Sequence, residues 1–220
     1  MDKREESLRK AVREAAAFAE KVFREDHSGH DVSHTMRVYR TATALAEAEG
    51  AEVPVAQLAA LLHDVDDRKL SPETSEKKDR AAAFLREQGV DAETAERVLG
   101  IIGEVSFRGT DSVTPESIEG KCVQDADRLD AIGAVGIARA FAYGGSRGRA
   151  MYDPEIPPEN GMDAERYYAS ESTTLNHFHE KLFLLKDMMN TRTARELAAE
   201  RDRFMRAYVD EFLKEWNGQA

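Results

Sequence analysis

An all-α fold is predicted by three features of this 220-residue sequence. Ala, Leu, Glu and Arg dominate it, β-branched residues are sparse, and aromatic residues make up only 7%; that balance favours helix over strand. Apolar residues recur at three- and four-residue spacings along most of the chain. Pro and Gly mostly fall where those periodic stretches begin or end.

Taken in order, residues 3–25 read as an amphipathic helix with Leu8, Ala11, Ala15, Phe18, Val22 and Phe23 on its inner face. Glu25 to Asp31 break that pattern. Ser33 is placed to cap a second helix, from His34 to about Glu49, which stops at Gly50. His34, Val38, Thr41 and Leu45 share one face, so His34 opens the helix pointing inward. Pro54 starts a third helix, where its missing N–H is harmless. Val55, Leu58, Ala59 and Leu62 form its buried stripe, and His63 and Asp64 end it.

A fourth helix is expected from Ser71-Pro72 to near Gly89, and a fifth from Asp91, as N-cap, to about Gly103. Residues 106–114 read as a loop, with Thr114-Pro115 starting the next helix. From Cys122 onward the helical period continues through Leu129, Ile132, Val135 and Ala138. Gly133 and Gly136 inside such a helix cost about 1 kcal/mol each against Ala, a cost that close helix–helix approach would offset. Residues 143–161 carry four Gly and three Pro and read as a long loop, of the kind that forms lids or binding segments. Two long helices, about 162–189 and 193–216, close the chain.

Length suits one domain spanning residues 1–220, able to bury roughly 70% of its unfolded surface. The net charge of −11 disfavours nucleic-acid binding through phosphate neutralisation and contact with an anionic membrane. It leaves open an anionic small molecule, because a metal and a few cations can dominate one pocket. The single cysteine, Cys122, can form no disulfide within the chain, which fits a reducing compartment. The charged N-terminus precedes no signal-type apolar core, and no apolar run nears the roughly 20 residues that span a bilayer. A cytoplasmic protein is expected.

The stretch Leu58-Ala59-Ala60-Leu61-Leu62-His63-Asp64-Val65-Asp66-Asp67 carries the chemistry. An apolar helix that runs into imidazole and carboxylate groups must find partners for them, since unpaired buried ions cost several kcal/mol or more. Singly, each group has an ordinary reading: His34 as a hydrogen-bonded core histidine, His63-Asp64 as a helix C-terminus, Asp125 or Asp127 as an N-cap. Jointly, His34 starts one inward face, His63-Asp64 ends the next, and an Asp starts a third. Two imidazoles and two carboxylates make an open N/O site for a divalent ion, with positions left for water and substrate. Asp66, Asp67, Asp125 and Asp130 leave room for a second ion.

Three motifs in this order resemble the HD-domain metal-dependent phosphohydrolase superfamily: Gly29-His30-Asp31-Val32-Ser33-His34, Leu61-Leu62-His63-Asp64-Val65-Asp66-Asp67 and Asp125-Ala126-Asp127-Arg128-Leu129-Asp130. The likeness covers about residues 20–210 and is similar in particular to stand-alone bacterial HD proteins, some of which hydrolyse nucleoside triphosphates to monophosphate and pyrophosphate. It implies a single HD-type helical bundle with His34, His63, Asp64 and Asp127 as metal ligands. Asp127 is the closer match, because Ala126-Asp127-Arg128-Leu129 resembles the family's Ala-Asp-Arg-Leu segment; Asp125 is the alternative. The guanosine tetraphosphate hydrolases carry Glu-Asp four and five residues after the histidine. Here those positions are Asp67 and Arg68, and the missing second acid counts against that branch.

The expected function is therefore hydrolysis of a nucleotide phosphoanhydride with Mn²⁺ or Mg²⁺. The alternatives are a 5′-nucleotidase or phosphodiesterase on the same site, or a non-catalytic metal- and nucleotide-binding sensor. Asp67 is the expected general base, with Asp64 beside it as a catalytic ligand, and Arg37 and Lys69 are expected on substrate phosphates. Arg147 and Arg149 are weaker candidates on the long loop. His177 and His179, two apart on a helix, cannot both face inward. The superfamily resemblance also leaves room for a homodimer.

Overall fold

A computed structural model of the chain describes residues 3–24, 32–66, 79–105, 112–159, 161 and 172–219. Among them no strand occurs, and no helix is long and apolar enough to cross a membrane. The helices are α1 (Lys3–Phe23), α2 (Val32–Glu49), α3 (Val53–Leu62), α4 (Asp79–Glu87), α5 (Ala92–Val105), α6 (Ile118–Asp130), α7 (Gly133–Ser146) and α8 (Arg192–Trp216). They fall into two compact units, with the division inside α6 after Asp127.

The first unit is built on α3. This helix is apolar except for Gln57, and Val55, Ala56 and every residue from Leu58 to Leu62 are fully buried, the pattern of a helix surrounded by others. It packs against α1, α2 and α5. Its N-terminus is held from α6: Glu119 Oε1 accepts the Glu52 N–H at 2.8 Å. Arg97 of α5 joins Glu52 at 2.7 Å and Glu119 at 3.5 Å. Phe84 of α4 stacks on Phe18 of α1, ring centroids 4.9 Å apart.

Several expected termini hold. Gly50 (φ +71°) and Gly89 (φ +68°) follow α2 and α4, and Asp91 caps α5, accepting the Thr94 N–H at 2.9 Å. Others move. Ser33 lies inside α2, which starts at Val32. The cap of α6 is Ser117, whose Oγ accepts the Gly120 N–H at 3.0 Å, so Pro115 precedes the helix rather than opening it. The Ser71-Pro72 start of the fourth helix lies outside the described residues.

In the second unit the chain breaks where a continuous helix is expected. Gly133 has φ +78°, a left-handed conformation that glycine adopts without strain. It separates α6 from α7, and a Cβ there would lie 3.0 Å from the Arg201 side chain. Gly136 is needed for space: a Cβ would stand 2.2 Å from the Ala131 carbonyl oxygen. α7 then runs to Ser146, deeper than expected into the 143–161 stretch. The described part of that stretch is pinned rather than loose. Thr174 and Leu175 donate their N–H groups to Ala150 and Met151, both at 2.9 Å, and Asn176 Nδ2 donates to Ile156 O at 2.7 Å.

Those same bonds explain why the described part of 162–189 is not a regular α-helix. Thr174 and Leu175 spend their N–H groups sideways, so helix begins only after them. It then forms a π-helical segment, Phe178–Leu182, in which Phe183 N–H reaches Phe178 O at 2.9 Å, and a 3₁₀ turn, Leu185–Met188. α8 starts on a Thr191 cap. Tyr152, Phe141, Phe178, Tyr208, Phe212 and Trp216 form a connected aromatic cluster.

Gly136→Ala is expected to lower unfolding stability by about 1–3 kcal/mol, the usual cost of overpacking. Gly145→Ala is the control, because nothing lies within 4 Å of its Cβ position and Ala is the better helix former. Denaturant titration of the two variants should give shifts of opposite sign.

Candidate metal centre

Three elements of the first unit bring four polar side chains together. The first turn of α2 carries His34. The turn at residues 63–66, which follows α3, carries His63 and Asp64, and the last turns of α6 carry Asp127. His34 Nε2 lies 3.4 Å from Asp64 Oδ2 and 3.5 Å from Asp127 Oδ1. His63 Nε2 lies 3.1 Å and 4.0 Å from the same two oxygens. The imidazole rings meet edge to face, centroids 5.4 Å apart.

The cluster is buried on one side and open on the other. The two imidazole side chains are 2% and 4% exposed, whereas Asp127 is 26% exposed. Approach from outside is therefore past Asp127.

His63 shows what the cluster lacks. Its Nδ1 lies 2.8 Å from the Ala60 carbonyl oxygen, which can only accept, so Nδ1 carries the proton. In the neutral ring Nε2 then presents a lone pair to the cluster. That buried Nε2 stands 3.1 Å from Asp64 Oδ2, which it can reach only when the ring is protonated. Burial opposes charge on this ring, but Asp64 and Asp127 outweigh it and raise its pKa to about 9. A cation among these atoms would satisfy the nitrogen and both carboxylates at once.

The donors suit a divalent ion. His34, His63 and Asp127 each offer a ligand atom, all within 4.8 Å of one another. Donors about 2.1 Å from one ion sit roughly 3–4 Å apart, as the four measured separations do. Neutral nitrogen with anionic oxygen is the mixture that transition-series divalent ions accept.

The remaining expected residues divide. Of the two aspartates left open by the sequence, Asp127 joins the cluster; Asp125 is completely buried. Arg37 is half-buried, one turn beyond His34 on α2. Asp67 and Lys69 lie outside the described residues. Asp130, counted towards a second ion, is paired with Arg139. Arg128 donates to the Met188 carbonyl, and Arg147 lies over the Tyr143 ring. His177 is half-buried and His179 exposed; burial, then Lys181 and Arg149, push the His177 pKa down to about 3.

Two participants were not apparent beforehand. The Ala60 carbonyl orients His63, a role without a side-chain signal. Asp66, read as capacity for a second ion, instead accepts the N–H groups of Arg80 and Ala81 at the start of α4.

Comparison with known proteins places this geometry. Residues 31–132 match the HD domain family, a segment that contains all four converging side chains. YpgQ of Bacillus subtilis is 43% identical over 216 residues, 95% of each chain. A crystal structure from Lactobacillus plantarum superposes with a TM-score of 0.84 at 41% identity, covering 94% of this chain and 97% of that one. An HD-superfamily hydrolase from Bacillus thuringiensis gives 0.77 at 42% identity, covering 96% and 100%. The crystal structure of YpgQ in complex with ADP gives 0.76 at 38% identity, covering 95% and 100%. Likeness at this level through nearly the whole chain, with the converging donors inside the matched segment, means that this chain belongs to the HD domain family.

Proposed function

We propose that this chain is a metal-dependent phosphohydrolase of nucleotides, and that it releases pyrophosphate from nucleoside triphosphates. One observation carries the metal reading: two buried imidazole Nε2 atoms and two carboxylate oxygens from three elements lie 3.1–4.0 Å apart. The nucleotide reading is supported by the ADP complex of YpgQ. A polyphosphate would offer anionic oxygens to a cation held by these residues, reached past the part-exposed Asp127.

His34 and His63 would hold the ion through Nε2, and Asp64 and Asp127 through their carboxylates. Once bound, the ion would polarise a phosphoryl oxygen and lower the pKa of a water. Ala60 keeps His63 in the ligating tautomer. Asp67, four residues after His63, is assigned to take the proton from the attacking water. Arg37 and Lys69 are assigned to the non-bridging phosphate oxygens, where negative charge grows in the transition state. The whole chain, residues 1–220, is taken as one catalytic domain. Its single cysteine, Cys122, is buried and can form no disulfide within the chain, which is in keeping with a reducing cytoplasm.

Purified protein supplied with Mn²⁺ and a nucleotide panel should release pyrophosphate from triphosphates, resolved by chromatography. Orthophosphate from monophosphates would assign a nucleotidase instead, and no turnover of any phosphate ester would defeat the enzyme reading. Asp67→Asn should abolish turnover while leaving Mn²⁺ bound. His63→Ala and Asp127→Ala should weaken Mn²⁺ binding by at least about 10- to 100-fold, the loss that outer-shell changes alone can cause.

The His63 proton sets the pH dependence. An ion needs the neutral ring, so below a pKa of about 9 it must displace that proton. Calorimetry in buffers of different ionisation enthalpy should show close to one proton released per Mn²⁺ near pH 7.5. Affinity should strengthen about tenfold per pH unit from 7 towards 9. In the metal-free protein the sign reverses. The folded ring binds its proton more tightly than the unfolded one, so the stabilisation is full below pH 6.5 and is lost as pH rises to about 9. Melting temperatures measured in chelator should fall across that window.

A further inference from the structure

Asp66 sits two residues beyond Asp64, and none of its surface is exposed. Its Oδ1 accepts the Arg80 N–H at 3.2 Å, and its Oδ2 accepts the Ala81 N–H at 3.0 Å. Arg80 and Ala81 are the second and third residues of α4. N–H groups there have no carbonyl partner within their own helix, and the positive end of the helix favours a carboxylate. Such a cap ordinarily comes from the residue just before the helix. Here it comes from the turn that presents His63 and Asp64.

This arrangement ties the turn at both ends. On the α3 side, Val65 N–H donates to Leu62 O at 3.3 Å, and His63 Nδ1 lies 2.8 Å from Ala60 O. On the other side the anchor is α4, itself packed into the core through Ala81, Phe84 and Leu85, with Phe84 stacked on Phe18. Val65, between Asp64 and Asp66, is fully buried. Rotation of the turn would have to break both sets of bonds.

We propose that Asp66 is a positioning residue of the metal centre: by capping α4 from the His63–Asp64 turn, it holds both ligating side chains at the angle that the ion requires. The proposal rests on the metal-binding reading above. Asp66 touches neither ion nor substrate; it acts through the backbone of its own turn.

The test compares Asp66→Ala and Asp66→Asn with Asp91→Ala, which removes the cap of α5 at a helix end that carries no ligand. Mn²⁺ affinity is measured by calorimetry on the full-length, metal-stripped protein, and the Mn²⁺ paramagnetic resonance spectrum and thermal unfolding are recorded in parallel. Asp66→Ala should bind Mn²⁺ roughly 10- to 100-fold more weakly, the range for supporting contacts around a metal, with an altered spectrum. Asp66→Asn, which keeps one acceptor oxygen, should fall between Asp66→Ala and wild type, and it carries the comparison if the alanine variant does not fold. Asp91→Ala should lose thermal stability yet keep wild-type affinity. Wild-type affinity in Asp66→Ala, or an equal loss in Asp91→Ala, would show that Asp66 is only a helix cap and overturn the proposal. Wild-type protein that takes up no Mn²⁺ would defeat the metal reading itself, and the proposal with it.

Discussion

A buried imidazole nitrogen turned towards two carboxylates and a second imidazole is the constraint on which the centre of this molecule depends. His63 Nε2 is aimed into the cluster because Nδ1 is committed to Ala60. Leaving such an atom unsatisfied costs about 1–3 kcal/mol, and two carboxylates nearby add their own desolvation. In the metal-free protein a proton answers part of this demand, and the ring holds it far above its ordinary range. A divalent ion held by the same atoms would answer all of it. Folding and ion binding would thus be coupled through one nitrogen.

The first unit is arranged to make that coupling rigid. α3 is ten residues long and apolar except for Gln57, so it is stable only inside other helices. Its two ends are the places where polar groups gather. At the start, Glu52, Glu119 and Arg97 link α3, α5 and α6. At the finish, His63 and Asp64 face the open cluster, while the buried Asp66 accepts two N–H groups from the start of α4. Between those ends the helix carries a single polar side chain, Gln57, which donates to Thr43 Oγ1 of α2 at 3.2 Å.

Gln124 shows the same economy in α6. Its buried amide donates to the carbonyls of Glu104 and Val113, both at 2.9 Å, which closes the connection between α5 and α6 three residues before Asp127. In the second unit, backbone space rather than charge sets the form. Gly136 and Gly144 leave room for the Ala131 carbonyl and the Thr174 hydroxyl, each 2.2 Å from where a Cβ would be. These glycines fix where α7 begins and what lies against its last turn.

Most of the helices were legible from local spacing: the inward faces of α1 to α3, the Asp91 cap, and the stops at Gly50 and Gly89 follow from periodicity and terminal chemistry. So did the convergence of histidine and aspartate from separate helices, because three motifs in order carry it. The break at Gly133 was not legible, since the apolar period runs across it unchanged and only its positive φ and the approach of Arg201 reveal it. Nor was the π-helical segment, which follows from bonds to residues more than twenty positions earlier. The sequence by itself determined that this chain is helical and which residue types are available to hold an ion. The resemblance of Ala126-Asp127-Arg128-Leu129 to the family segment favoured Asp127 over Asp125, but periodicity could not choose between them; tertiary structure alone decided that Asp66 serves α4. Residues two apart on a helix point about 200° apart, so which one faces the histidines depends on how α6 is rotated against its neighbours, and no local pattern encodes that rotation.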